Sequence, residues 1–271
     1  MSGVQNTSAT ITALHTTAIK GTRLRSVEHV VLDERGAVGD RRFFLIDKRD
    51  RMRNGKVLTN LQAVVASCEG ERLRLEFPDG HVVEDEVSLG ETVTARFYSS
   101  HRAGRVVHGP WARALSDYTG VELRVLQTES GVDRGSKGAV SLVSRGSLRR
   151  LAEQAALESV DVRRFRMLIE VDGVEPHGED GWLGQELQIG EAAVRFEGHV
   201  GRCLVTSRMP ETGEIDLPTL DLLREYRSGV ESTEPLPFGI YGRVLRGGHV
   251  RVGDSVVRVA RGPAELRDNR P

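Results

Sequence analysis

The sequence predicts a mostly β protein of the α+β type, built from one or two barrels with a few peripheral helices. Short alternating or β-branched runs recur along the chain, turns rich in glycine separate them, and only three segments have helical periodicity. Strands this frequent are typical of barrels. The predicted strands are residues 27–32, 42–46, 63–68, 72–77, 122–126, 167–171, 193–196 and 250–259.

The three segments with helical periodicity are residues 111–118, 147–157 and 217–227. Either Ser144 or Ser147 is expected to cap the second helix. Asp216 is the expected N-cap of the third, with Pro218 in its first turn. The glycine-containing segment 129–138 is polar and is the predicted boundary between two parts of the chain.

The charge balance argues against nucleic acid or an anionic membrane surface as a partner. The chain has 38 basic and 39 acidic residues and a net charge of -1. No apolar run approaches the ~20 residues that a membrane helix needs. Residues 1–12 are polar and lack the apolar core of a signal peptide. We therefore expect a cytoplasmic protein with free thiols.

Several common cofactor sites are excluded by the residues that the chain lacks. Its two cysteines, Cys68 and Cys203, cannot form an iron–sulfur cluster held by four thiolates or a CxxC zinc site. The eight histidines show no HxH or HExxH spacing, and no GxGxxG or GxxxxGK[ST] motif follows a strand. His177 and His199 both precede Cys203 in sequence; contact with substrate is one interpretation, and we expect them to be packed or solvated instead.

Cys203 carries the main functional signal. A cation beside a thiol favours the thiolate, the form that reacts and binds metals, and Arg202 precedes Cys203 directly. A buried, inert thiol is the alternative for a lone cysteine. The surrounding run, GRCLVTSRMPETG at residues 201–213, matches the pattern R-C-x-x-T-x-x-x-P-x-T-G without gaps. It resembles the signature of MOSC domains, named for the C-terminal domain of molybdenum cofactor sulfurases.

Further motifs extend this resemblance over nearly the whole chain, to the amidoxime-reducing group of the family. They are AIKG (18–21), GDRRFFLI (39–46), LVSRGSL (142–148), FR (165–166), EDGW (179–182), PFGIY (237–241) and VGD (252–254). The resemblance implies an N-terminal MOSC β-barrel domain at residues 10–128, a MOSC domain at 129–260 and a flexible tail at 261–271. The sequence departs from the family pattern at Ala18, Gly21, Met167 and Leu168.

The same resemblance implies a molybdenum cofactor, molybdopterin, with Cys203 as its metal ligand and catalytic residue. A thiolate suits the metal, and a helix N-terminus or an arginine suits the phosphate of the pterin. The residues expected to bind the cofactor are Lys20, Arg42, Ser144, Arg145, Ser147, Arg166, Arg202 and Tyr241.

The resemblance also implies an oxidoreductase that reduces small N-oxygenated compounds such as hydroxylamines, amidoximes and N-oxides. Electrons are expected from a separate donor, a ferredoxin or a flavoprotein reductase. Two alternatives remain open. One is a sulfur carrier or transferase that uses a Cys203 persulfide, and the other is a cofactor-free MOSC protein recruited to a specific pathway.

Overall fold

The computed structural model describes residues 8–98, 100–128 and 135–259 of the 271-residue chain. Within these residues the fold consists of short strands, three α-helices and several short 3-10 helices, as the sequence predicts. No helix of the described part is long and apolar enough to cross a membrane.

The elements follow one another in chain order. The strands are β1 (Ala9–Thr16), β2 (Arg25–Val27), β3 (His29–Asp33), β4 (Gly36–Ala37), β5 (Phe43–Asp47), β6 (Met52–Arg53), β7 (Val65–Glu69), β8 (Arg72–Glu76), β9 (Val82–Glu86), β10 (Ser88–Phe97), β11 (Ser100–His108), β12 (Leu123–Gln127), β13 (Val140–Ser144), β14 (Ile169–Asp172), β15 (Glu186–Ile189), β16 (Ala192–Gly201), β17 (Pro237–Arg246), β18 (Gly248–Arg251) and β19 (Ser255–Arg258). The α-helices are α1 (Trp111–Thr119), α2 (Arg145–Gln154) and α3 (Thr219–Arg227). The 3-10 helices are Thr59–Ala63, Gly135–Gly138, Val162–Phe165, Gly178–Trp182 and Leu204–Ser207.

Seven strands close into a barrel, in the order β14-β13-β17-β16-β15-β19-β1, and β1 pairs back with β14. The pair β13–β14 is parallel, and α2 makes the connection that a parallel pair requires. Inward-facing apolar side chains fill the barrel, among them Leu142, Ile169, Phe196 and Ile240. Closure leaves few exposed strand edges, which is the usual benefit of a barrel.

A second core lies in the N-terminal half. A five-stranded sheet in the order β10-β11-β12-β5-β6 and the sheet β7-β8-β9 enclose it. Phe43, Leu45 and Leu75 pack there against Trp111 and Leu115 of α1. The Trp111 Nε1 donates to the Leu73 carbonyl at 3.0 Å, which fixes the helix on β8. A buried indole N–H usually finds such a partner.

The two halves share strands. β1 comes from the start of the chain but belongs to the C-terminal barrel, and β18 pairs with β3, where His249 lies opposite Val31. The division between residues 128 and 129 therefore stays a prediction. Residues 129–134 of the predicted boundary and the tail 261–271 lie outside the described residues, while residues 135–138 form a 3-10 helix.

All three predicted helices are present, with shifted starts in two cases. Ser144 caps α2, because its Oγ accepts from the Ser147 backbone N–H, so the helix begins at Arg145. The prediction that Asp216 caps α3 is wrong: Pro218 holds that position, and the Asp216 carboxylate pairs with Arg164 instead. A residue two before a proline-led helix start cannot reach its free N–H groups as an N-cap does.

Candidate functional site at the Cys203 cleft

A cleft of ≈ 500 Å³ opens between the barrel and the N-terminal half. The N-terminal half contributes Lys20, Arg41 and the loop of residues 54–56. The barrel side contributes residues 165–167, residues 201–203 and Tyr241. A concave site between two parts of a fold is a common place for a small-molecule ligand.

Cys203 stands at the edge of this cleft with an exposed side chain. It follows the end of β16 and precedes the 3-10 helix Leu204–Ser207. Its carbonyl oxygen accepts from the Thr206 N–H at 3.0 Å and from the Thr206 hydroxyl at 2.9 Å, which holds the turn. The cysteine and the threonine of the R-C-x-x-T pattern thus form one turn that presents the thiol. The buried, inert thiol that the sequence left open is wrong.

Arg166 supplies an unsatisfied donor in the same cleft. Its Nη1 donates to the Thr22 carbonyl at 2.9 Å, while its buried Nη2 has no hydrogen-bond partner among the described residues. Burial, and then the neighbouring Arg41, lower the pKa of Arg166 to about 9, so the side chain stays charged at neutral pH. A buried cationic N–H without a partner is costly, and an anionic ligand would satisfy it.

Arg41 and Arg166 both have left-handed backbones, with φ values of 49° and 56°. Such values are uncommon outside glycine and concentrate at functional sites. The two residues also touch, since Arg41 Nη2 donates to the Arg166 carbonyl at 2.8 Å. Asp40 pairs with Arg41 and accepts from the Thr17 N–H, which anchors this corner of the cleft.

Lys20 is the third cation at this corner. Burial, and then the positive charges of Arg41 and Arg166, lower its pKa to about 7. An anion bound beside Lys20 would raise that pKa again and favour the charged ammonium. The structure thus brings together Lys20, Arg166, Arg202, Cys203 and Tyr241 of the residues that the sequence predicted for the site.

Arg42 does not line the cleft, and Arg41 does. The Arg42 guanidinium pairs with Glu71 at 2.6 Å and donates to the Gly70 carbonyl at 2.9 Å. Arg41 lies in the turn before β5 and has a left-handed backbone, unlike Arg42, and the two side chains take different directions. Every residue of β5 is buried, so its burial pattern gives no alternation that could distinguish the two arginines, and the motif match alone missed Arg41.

Ser144 and Ser147 do not line the cleft either, because a carboxylate of the protein occupies their helix N-terminus. Glu179 accepts from the Ser144 hydroxyl at 2.8 Å, the Ser147 hydroxyl at 2.6 Å and the Ser144 N–H at 3.2 Å. Burial raises the pKa of Glu179 and outweighs these hydrogen bonds, which lower it. The position that the sequence assigned to a phosphate is thus filled by a side chain.

Arg145 also lies away from the cleft, where its Nε pairs with the buried Glu170 at 2.6 Å. Both flanking histidines are packed, as expected. His177 lies against the rings of Tyr226 and Phe238, and burial, with Arg227 next, lowers its pKa to about 4. His199 is buried with Nε2 3.3 Å from the Asp180 carboxylate.

Arg202 lines the cleft but directs its donors into the protein. Its Nε donates to the Phe238 carbonyl at 2.9 Å and its Nη1 to the Phe165 carbonyl at 2.8 Å. Its Nη2 lies 3.0 Å from the Met167 sulfur. The guanidinium also faces the rings of Phe165 and Phe238, at 5.2 and 5.9 Å from their centroids. Arg202 therefore ties the Cys203 turn to the Arg166 turn, rather than presenting its donors to a ligand.

The charge of the cleft is strongly positive among the described residues. Its lining holds one carboxylate, Asp40, against six cationic side chains: Lys20, Arg41, Lys56, Arg164, Arg166 and Arg202. Like charges gathered in a concave, partly desolvated site attract anions. The arrangement suits an anionic ligand that brings a reactive group to the Cys203 thiol.

Comparison with known families agrees with this geometry. A model described as the MOSC domain matches residues 107–257, more than half of the chain. The chain belongs to the MOSC domain family. A second model, the MOSC N-terminal beta barrel domain, matches residues 8–119. The MOSC segment includes the Cys203 turn, Arg166 and Tyr241, and the N-terminal segment includes Lys20 and Arg41.

Named relatives of this MOSC protein are amidoxime reducing components. The mitochondrial amidoxime reducing component 2 of Rattus norvegicus is 35% identical over 127 residues, which is 44% of this chain and 36% of the rat protein. The Homo sapiens component 2 is 37% identical over 108 residues, covering 38% of this chain and 32% of that protein. The Danio rerio component 1 is 26% identical over 251 residues, 83% of this chain and 75% of the fish protein. The matched region thus spans about a third of the rat and human relatives.

Comparison with solved structures finds matches of low similarity. The YUAD protein of Bacillus subtilis has a TM-score of 0.46 and 14% identity, covering 94% of this chain and 97% of the other.

Proposed function

We propose that this MOSC protein binds a molybdenum cofactor in the Cys203 cleft and reduces N-oxygenated compounds such as hydroxylamines, amidoximes and N-oxides. The observation that carries the proposal is the pairing, in one cleft, of the exposed Cys203 thiol with the buried, unpartnered Nη2 of Arg166. The first group suits a soft metal centre, and the second suits an anion.

The residues of the cleft fit a molybdopterin. Cys203 would be the protein ligand of the metal, and Lys20, Arg41 and Arg166 would hold the phosphate and the polar pterin edge. Tyr241 lines the cleft on the barrel side and would contact the same group. In the described residues no group of three or more histidine, cysteine or acidic side chains could hold a metal ion by itself.

A bound molybdenum cofactor supplies the two-electron redox chemistry of the site. The overall reaction takes two electrons and two protons, removes the oxygen from nitrogen and releases it as water. The chain's part is to bind, orient and tune. A bound anion would raise the pKa of Lys20 from about 7, so Lys20 would hold the phosphate as a charged ammonium group.

Electrons would come from a separate donor, a ferredoxin or a flavoprotein reductase. The two cysteines of this chain cannot ligate a ferredoxin cluster, because such a cluster needs four thiolates. A cytoplasmic location stays a prediction of the sequence.

Elemental analysis tests the proposal. Protein produced in a host that makes the cofactor should contain close to stoichiometric molybdenum, and should reduce benzamidoxime with chemically reduced methyl viologen as donor. Protein from that host without molybdenum and without pterin fluorescence would instead support a cofactor-free MOSC protein.

The sulfur-carrier alternative keeps one supporting observation, the exposed Cys203 thiol, since a persulfide carrier must present its sulfur. Cyanide treatment separates the two functions. A carrier releases thiocyanate from Cys203 and contains little metal, whereas the proposed reductase contains metal and releases none from this thiol.

The adjacent arginines Arg41 and Arg42 provide a test of which side chain binds the cofactor. Arg41→Gln should lower the molybdenum content at limiting cofactor by roughly tenfold, because a cation at the anion-binding corner is lost. Arg42→Gln should leave it unchanged, since Arg42 faces Glu71 and Gly70. The measurement is molybdenum per protein by mass spectrometry. The reverse pattern would mean that the motif, and not the structure, identifies the arginine that binds.

A further inference from the structure

We infer that the substrates of this cleft are planar, aromatic N-hydroxylated compounds that carry a negative charge, held by the Tyr98 ring and the Lys56 ammonium group. The inference rests on the proposed function, because it concerns what that cleft admits. It comes from the part of the cleft wall formed by Asn54, Lys56 and Tyr98 of the N-terminal half, none of which is assigned to the cofactor.

Asn54 organises this wall. Its Nδ2 donates to the Tyr98 hydroxyl at 3.0 Å, and its Oδ1 accepts from the Lys56 backbone N–H at 2.9 Å. Gln62 Nε2 donates to the Gly55 carbonyl at 3.4 Å and supports the loop from below. One side chain therefore positions both the Tyr98 ring and the backbone of Lys56, and both residues line the cleft that contains Cys203.

Tyr98 has two features that a packing residue does not need. Its side chain is 63% exposed, although it lines a cleft. Its backbone is left-handed, with φ 49°, which is uncommon for a bulky residue and is found disproportionately at ligand sites. A tethered ring with an open face is suited to stack on a planar aromatic ligand.

Among the described residues that line the cleft, Lys56 is the exposed cation. Arg41 pairs with Asp40, Arg164 pairs with Asp216, and the donors of Arg202 reach backbone carbonyls. Lys56 is exposed, and among the described residues its ammonium group has no ion-pair partner. The buried Nη2 of Arg166 suits the enclosed cofactor, whereas an exposed ammonium suits a charge on the exchanging substrate.

The test compares benzamidoxime with para-carboxybenzamidoxime. Holoenzyme should show a kcat/KM for the carboxylated compound that is roughly fivefold higher than for the neutral one. This factor corresponds to the attraction between one pair of opposite charges in water. Lys56→Gln should remove this ratio and Lys56→Glu should invert it. Added salt should bring the ratio towards one in the wild type and in Lys56→Glu, and should leave it unchanged in Lys56→Gln. Lys48→Gln is the matched control, because Lys48 is exposed and does not line the cleft.

Tyr98 is tested with a pair of substitutions. Tyr98→Ala should weaken binding of both aromatic compounds by roughly fivefold, while Tyr98→Phe keeps the stacking face, loses only the hydrogen bond from Asn54, and should weaken binding less. Acetamidoxime, which has no ring, should bind both variants as it binds the wild type. Equal weakening of all three compounds would overturn the stacking role.

Titration calorimetry with oxidised protein, which turns nothing over, keeps the two proposals separable. A molybdenum-containing enzyme that reduces both aromatic compounds equally, with no change in Lys56→Gln, overturns this inference alone. Protein without molybdenum that reduces neither overturns the proposed function, and the calorimetric affinities then still decide the charge preference.

Discussion

Cys203→Ser is expected to abolish molybdenum binding and reduction of N-oxygenated compounds. A hydroxyl is a harder and far less acidic donor than a thiol, so it does not replace a thiolate at a soft metal centre. Changes to residues that only support a metal ligand already cost 10–100-fold in metal affinity or activity. Loss of the ligand itself should therefore lower benzamidoxime reduction by about 100-fold or more.

The other cysteine supplies the control. Cys68 lies in β7, packs against the N-terminal core and does not line the cleft. Cys68→Ser should keep the molybdenum content and the turnover of the wild type. Equal molybdenum in wild type and Cys203→Ser would show that Cys203 is not the metal ligand. Thermal unfolding should differ little between Cys203→Ser and the wild type, since this side chain is exposed.

Arg202→Met is expected to lower the free energy of unfolding by about 3 kcal/mol. The guanidinium is buried and is the shared donor for the carbonyls of Phe165 and Phe238, which the substitution would leave unsatisfied. Hydrogen bonds to charged groups contribute about 1.5–3 kcal/mol each, and methionine recovers part of the loss by packing between the two rings. Urea denaturation followed by circular dichroism measures the change.

Arg202→Lys separates shape from charge. Lysine keeps the charge but cannot bridge two carbonyls with a planar fork, so we expect little recovery of stability. Arg243→Met on β17 is the control, because Arg243 is half exposed and pairs with Glu197 at the surface, where such a pair contributes about 1 kcal/mol or less. An unchanged free energy of unfolding in Arg202→Met would contradict the role of Arg202 in joining the Phe165 and Phe238 carbonyls. Loss of molybdenum without loss of stability would restore Arg202 as a cofactor-binding residue.

The fold class and the turn that contains Cys203 were predictable from the sequence for local reasons. The periodicity of apolar residues indicates strands and helices, and turn residues mark where they end. Both signals depend only on residues that are close together in the chain. The pattern around Cys203 is equally local. The cysteine, the threonine that donates to its carbonyl and the preceding arginine lie within one turn. Residues that are close in sequence are therefore also close in space here.

The remaining site residues depend on contacts between distant segments, and only the tertiary structure decided them. Whether Arg41 or Arg42 faces the cleft depends on how β5 packs, and the two look alike in a motif. Ser144 and Ser147 resemble an anion site until Glu179, more than thirty residues later, fills it. The N-cap expected at Asp216 fails because α3 begins after Pro218, and the Asp216 carboxylate pairs with Arg164 instead.

Cys203 itself combines both sources. Its sequence context predicted a metal ligand, while its exposure and its neighbours come from a cleft assembled by both halves of the chain. Arg202 shows most clearly how the two sources differ. Its position beside Cys203 in the sequence suggested a donor to the cofactor, whereas in the structure it donates to the backbone carbonyls of Phe165 and Phe238. The local sequence specifies which reactive and charged side chains lie near one another in the chain. Burial and hydrogen-bond partners arise only on folding, and they determine which of those side chains face the cleft.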